Sequence, residues 1–198
     1  MIGIWHIRLS IFIFFKKIED GRADSYIKMG QYYYPIILSA DGKIVVWMDA
    51  SMYGNGVKLT EHSYVGNNFV STFEFSLSPE GIYHKSRVVW AGDYADKEPG
   101  QDKNLYDQCN EYKLIRPAEK KTMKYRFVVN HTKKQYADKS KWKMHPLPLL
   151  TAEGNGRGGG DIQNAPSCVG SWARDVISVE ETIPEDFEEL VYNIMTNQ

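Results

Sequence analysis

The pattern with the plainest chemical meaning in this 198-residue chain is Gly154-Asn155-Gly156-Arg157-Gly158-Gly159, which satisfies G-x-G-x-x-G. In a dinucleotide-binding fold such glycines let the backbone approach a pyrophosphate between a strand and the start of a helix. Here Pro146 and Pro148 interrupt the preceding segment, and Asp161-Ile162-Gln163-Asn164-Ala165-Pro166 does not open a helix, so the context excludes that reading. No Gly-Lys-Ser/Thr follows, which excludes a P-loop. What stays is a loop with five glycines among residues 154–160, whose backbone N–H groups can turn toward an anion beside the planar fork of Arg157. Asn155, Arg157 and Asp161 are therefore the expected ligand-binding residues, together with Asn55 in the second Gly-Asn-Gly at 54–56. A surface connector is the plainer alternative.

Acid–base chemistry needs a carboxylate and an imidazole within reach of each other. Glu61, His62, His145 and Glu153 are the candidate catalytic residues, on the expectation that polar loops bring them together in the fold, with His84 and His131 also possible acid–base groups; a solvated turn for His131 and the proline after His145 make structural roles the plainer reading of those two. The histidines lack the spacing of a helical metal site, and Cys109 and Cys168 lack any Cys-x-x-Cys, so neither a metal nor a cofactor is expected. Two isolated cysteines fit reduced thiols in a cytoplasmic protein.

Charge narrows the partners. A formal net charge of −1 and a pI near 6.5 make nucleic acid an improbable partner, even though Tyr125, Phe127, Tyr136 and Trp142 interleave with lysines. Eleven basic residues lie between Lys113 and Lys143, and seven carboxylates between Trp172 and Gln198. The two segments either neutralise each other in the fold or leave a basic face for a phosphate-bearing partner.

The elements that must position these groups are mostly strands. Tyr33 to Leu38 and Lys43 to Met48 flank Asp41-Gly42 as a hairpin, and Lys124 to Asn130 with Lys133 to Ala137 make a second. Arg87 to Trp90 and Asp175 to Glu180 read as further strands. Asn67 caps a short helix to Leu77, Leu105 to Tyr112 supplies one or two turns, and Glu185 to Ile194 reads as an amphipathic closing helix. The prolines of His145-Pro146-Leu147-Pro148-Leu149-Leu150 indicate an extended edge or connector. Residues 1–15 are apolar but broken by His6 and Arg8, too short to span a bilayer; residues 1–28 read as an N-terminal extension ahead of a start at Met29. Residues 29–198 then form a single globular domain of α+β class, mainly antiparallel β hairpins in one sheet or two, with one or two short helices.

MGQYY at Met29, YGNGVKLTEHSYVGN, VVWAGDYAD, YRFVVNHTKKQY, HPLPLLTAEGNGRGGGD and SWARDVISVE carry a resemblance over nearly all of residues 29–185. The chain resembles a group of small uncharacterised proteins of bacteria and their phages. The resemblance implies a bacterial or phage cytoplasm and transfers no activity, cofactor or catalytic residue. The functional expectation is a small binding module for an anionic, phosphate-bearing molecule or a partner protein, with no membrane partner. The alternatives are an enzyme using Glu/His/Arg acid–base chemistry and a mobile-element protein acting by surface contact with a host factor.

Overall fold

Tyr33–Leu38 (β1) and Ile44–Trp47 (β2) pair antiparallel across a turn in which Gly42 takes the left-handed backbone, φ 83°. The computed structural model describes residues 31–115, 125–154 and 167–191; the N-terminal segment 1–28 and the ligand-binding residues expected at 155, 157 and 161 lie outside them. After the first hairpin come helices Leu59–His62 (α1) and Asn68–Ser76 (α2), strand Ser86–Gly92 (β3), helix Leu105–Gln108 (α3) and strand Lys113–Leu114 (β4). Phe127–Asn130 (β5) and Gln135–Asp138 (β6) follow, then helix Pro146–Thr151 (α4) and strands Ala152–Glu153 (β7), Val176–Glu180 (β8) and Glu188–Glu189 (β9).

The fold is α+β, built on one sheet in the order β4-β2-β1-β3-β8-β5-β6-β9, with β7 also on β3. That sheet is mixed, which corrects the expectation of mainly antiparallel hairpins. The two-residue strands β4, β7 and β9 each join in parallel, and the pairs β1·β3, β3·β8 and β5·β8 unite segments that no tight turn connects. Strand β3 holds the centre: β1 runs along one edge, while β8 pairs with Ser86 and Arg87 and β7 with Trp90 and Ala91 on the other.

Alternation along the strands serves two cores, because successive side chains leave a strand on opposite faces. Tyr33, Ile37, Val88 and Trp90 join the larger core under α2 and α4, where Phe69, Phe73, Leu147 and Leu150 are fully buried. Ile36, Leu38, Val89 and Ala91 join a smaller one closed by Leu105 and Cys109 from the α3 region. Burying each large apolar side chain contributes roughly 1.5–3 kcal/mol.

Two helix expectations change. Pro146 and Pro148 occupy the first turn of α4, where a backbone N–H has no intrahelical partner to lose, so the segment is a helix and not an extended connector. In the described part of the Glu185 to Ile194 stretch, which ends at Val191, Glu188 and Glu189 lie beside β6 as β9 in place of the expected closing helix. The Asn67 cap does form: Asn67 Oδ1 accepts the N–H groups of Phe69 and Val70 at 2.9 and 3.2 Å, and its amide donates to Asn55 Oδ1 at 2.7 Å. Asn67→Ala should therefore lower unfolding stability by about 1–2 kcal/mol, read as a lower urea midpoint with an unchanged slope. An unchanged midpoint would show that α2 does not depend on its cap.

Candidate functional site

A cleft of about 670 Å³ opens between the β1–β2 turn and the segment from Glu98 to Tyr112. Ile44 and Leu105, both buried, give it apolar surface, while four carboxylates (Asp41, Glu98, Asp102, Glu111) and three cations (Lys43, Lys103, Arg174) line it. Every cation is engaged. Lys43 pairs with Asp41 at 3.1 Å, and Lys103 with Glu111 at 2.6 Å. Arg174 makes four charge-assisted bonds: Nε and Nη2 donate to Glu153 at 2.7 and 2.6 Å, and Nη1 and Nη2 to Glu98 at 3.0 and 2.6 Å. Glu98, then Glu153, push the Arg174 pKa up despite its partial burial, so the guanidinium stays charged throughout. Arg174 stands in the left-handed region, φ 66°, immediately before β8, and this turn aims its side chain at both carboxylates.

The four candidate catalytic residues do not form one site. Glu61 is exposed and spends Oε2 on the Lys58 N–H at 3.0 Å, at the start of α1. His62 is fully buried: Trp90 Nε1 donates to its Nε2 at 3.0 Å, and Nδ1 lies 3.0 Å from the Gly56 carbonyl. Indole nitrogen only donates, so Nε2 is the acceptor and Nδ1 carries the proton. Glu153 is opposite Ala91, the neighbour of Trp90 on β3, and therefore lies on the other face of the sheet from His62. His145 caps α4 by accepting the Leu147 N–H at Nδ1, 3.1 Å, deep in the larger core. Asn55 clasps Asn67 and the Tyr53 carbonyl, which ties the 53–56 loop to α2.

Two further constellations stand outside those expectations. His131 stands in the β5–β6 turn, as expected, but is half-buried there against Phe187, with ring centroids 5.6 Å apart. Its Nε2 lies 2.8 Å from Ser178 Oγ; Ser178 donates to Glu180 Oε1 at 2.6 Å, and the same oxygen is 2.8 Å from His84 Nε2. Burial first, then Lys85, lowers the His131 pKa. The i, i+2 spacing of Ser178 and Glu180 on β8 is the one readable sign of this chain. In the other, Glu74 of α2, Lys139 and His145 meet fully out of water; Lys139 Nζ bonds Glu74 Oε1, and His145 Nε2 is 3.4 Å from that oxygen. Ser178 and Glu74 are too buried to meet a substrate, whereas His84 keeps 30% of its side chain exposed.

Two ion pairs join the charge-rich segments: Lys133 with Asp175 at 3.5 Å and Lys141 with Glu189. Among the described residues, no group of three acidic, histidine or cysteine side chains is arranged to hold a metal, and no helix is long and apolar enough to cross a membrane. Burial pushes the Cys109 thiol up and the Cys168 thiol to about 11, so neither is poised as a nucleophile. No family model, curated protein or solved structure matches the chain.

Burial opposes the Glu74 charge, but His145 and Lys139 outweigh it and hold its carboxyl below the usual carboxylate range. A folded pKa below the unfolded one means that this contribution is present above the ordinary carboxylate value and is lost as pH falls through the folded value. Glu74→Gln should cost about 3–5 kcal/mol at neutral pH, since it leaves Lys139 uncompensated, and the gap from wild type should narrow below about pH 4. Urea unfolding of both proteins across that range decides it; a pH-independent gap would remove the charge from the explanation.

Proposed function

We propose that the chain is a small binding module whose ligand enters the cleft beside the β1–β2 turn. The observation that supports it is the meeting of three separate stretches of chain, at Asp41 to Ile44, at Glu98 to Tyr112 and at Arg174, around a polar opening with Ile44 and Leu105 inside it. Concave sites that combine apolar surface with a few fixed polar groups are the usual form of a ligand site. The narrower reading of a phosphate-bearing ligand rests on Asn155, Arg157 and Asp161, outside the described residues, with Asn55 committed to Asn67.

An acid–base enzyme is the second reading, and the His84–Glu180 pair favours it, being a carboxylate and an imidazole at 2.8 Å with the imidazole in contact with solvent. Incubating a cell extract with wild type and with His84→Ala should then show a metabolite consumed by wild type alone; identical extracts would end this reading.

For the binding module, Gln101→Trp should fill the cleft from its exposed rim without touching either core. Native mass spectrometry of gently purified protein should show a small-molecule or peptide adduct on wild type that the variant lacks. An adduct retained equally by the variant would place the ligand elsewhere.

A further inference from the structure

We propose that the ligand of this cleft carries a protonated amine or guanidinium on an apolar stem, an inference that rests on the cleft being the ligand site. Gln108 lines the cleft with only 8% of its surface exposed. Its Nε2 donates to the Lys103 carbonyl at 3.2 Å, which fixes the amide so that Oε1 is the other end. Among the described residues nothing donates to that oxygen, and it keeps contact with solvent, so an accessible acceptor on the cleft wall is left for whatever enters. Asp102, exposed on the same wall, adds a carboxylate outside the cleft's ion pairs.

The sign of the ligand follows from what is already spent. An anion would have to draw Lys43 from Asp41, Lys103 from Glu111, or Arg174 from two carboxylates that use both their oxygens on it. A cationic N–H group displaces nothing: it can donate to Gln108 Oε1 and meet the Asp102 charge while its stem lies on Ile44 and Leu105. Arg174 accordingly acts as a positioning residue that holds Glu98 in the wall. The same chemistry is offered by a free alkylamine and by a lysine or arginine side chain of a partner.

Titrations of the full-length ¹⁵N-labelled chain at low salt with agmatine, spermidine and an acetylated Arg-Leu-Arg amide test the inference, with inorganic phosphate and ATP run in parallel. Agmatine should move the amide signals of Ile44, Gln101, Asp102 and Gln108. Asp102→Asn and Gln108→Met, in spectra that keep wild-type dispersion, should each weaken binding by up to about five-fold. Tighter binding of the tripeptide would assign a partner's basic side chain, and tighter binding of agmatine or spermidine a free amine. Phosphate or ATP moving those signals in place of the amines would overturn the cationic ligand yet keep the cleft as the site. Amine binding untouched by both substitutions would also overturn it. Silence of those signals toward every probe would remove the cleft reading as well.

Discussion

A buried carboxylate governs how the helices sit on the sheet. Glu74 is one turn from the end of α2, and its charge can stay out of water only if a cation comes to it. Lys139, immediately after β6, does so, and His145, at the start of α4, presents Nε2 to the same oxygen. Helix α2 is thereby fixed at one point to a stretch of chain 65 residues further on that ends β6 and starts α4. Leu147 can then reach the larger core because its own N–H is held by the His145 ring. Hydrophobic burial alone is compatible with many packings of α2 and α4, and a buried charge that needs its partners is compatible with fewer of them.

The sheet solves a different problem, that of edges. Its long strands run through the middle, and its ends are two-residue strands, β4 against β2 and β9 against β6. Short edges offer little template for another chain. At the β9 end the pairing also brings the acidic C-terminal stretch to the basic β5–β6 region, through Lys141–Glu189 at the edge and Lys133–Asp175 further in. Two pairs thus join the basic and acidic stretches on this side of the sheet, and the cleft lies on the other side of β3.

Local signals in the sequence carried a good share of this. The Asp41-Gly42 turn, the Asn67 cap and the strand-forming runs around Val128 and Val179 state their structures through short-range chemistry, and each element stands within three residues of where it reads. The α4 prolines mislead because a proline forbids a central strand and permits a first helical turn equally well, and only the His145 cap distinguishes the two. The glutamates of 185–189 mislead because helical spacing of apolar groups in a short exposed stretch competes with edge pairing, which depends on a partner strand about fifty residues away in the chain. Site residues were less legible. Glu61 and His62 are adjacent in sequence and face solvent and core respectively, while Arg174, visible only as the one basic residue of an acidic segment, is the group on which Glu98 and Glu153 converge. Convergence is a property of the sheet order, and no spacing along the chain encodes it.

Hydrogen-bond direction separates the structural histidines from the one with chemical scope. His62 accepts at Nε2 and donates at Nδ1, so both nitrogens are occupied within the core, and His145 spends Nδ1 on its cap. In the β8 chain the carboxylate of Glu180 only accepts, so His84 donates to it through Nε2–H; Ser178 gives its single proton to the same oxygen and must accept from His131 Nε2–H. Both imidazoles of that chain leave Nδ1 for the next proton, and taking it up breaks none of the bonds. Ser178 cannot be a nucleophile there, because it is fully buried and its hydroxyl proton is aimed at a carboxylate instead of a base. What the chain can do is hold His84 at the surface with its Nε2 proton against Glu180, an arrangement that combines a fixed tautomer with solvent access.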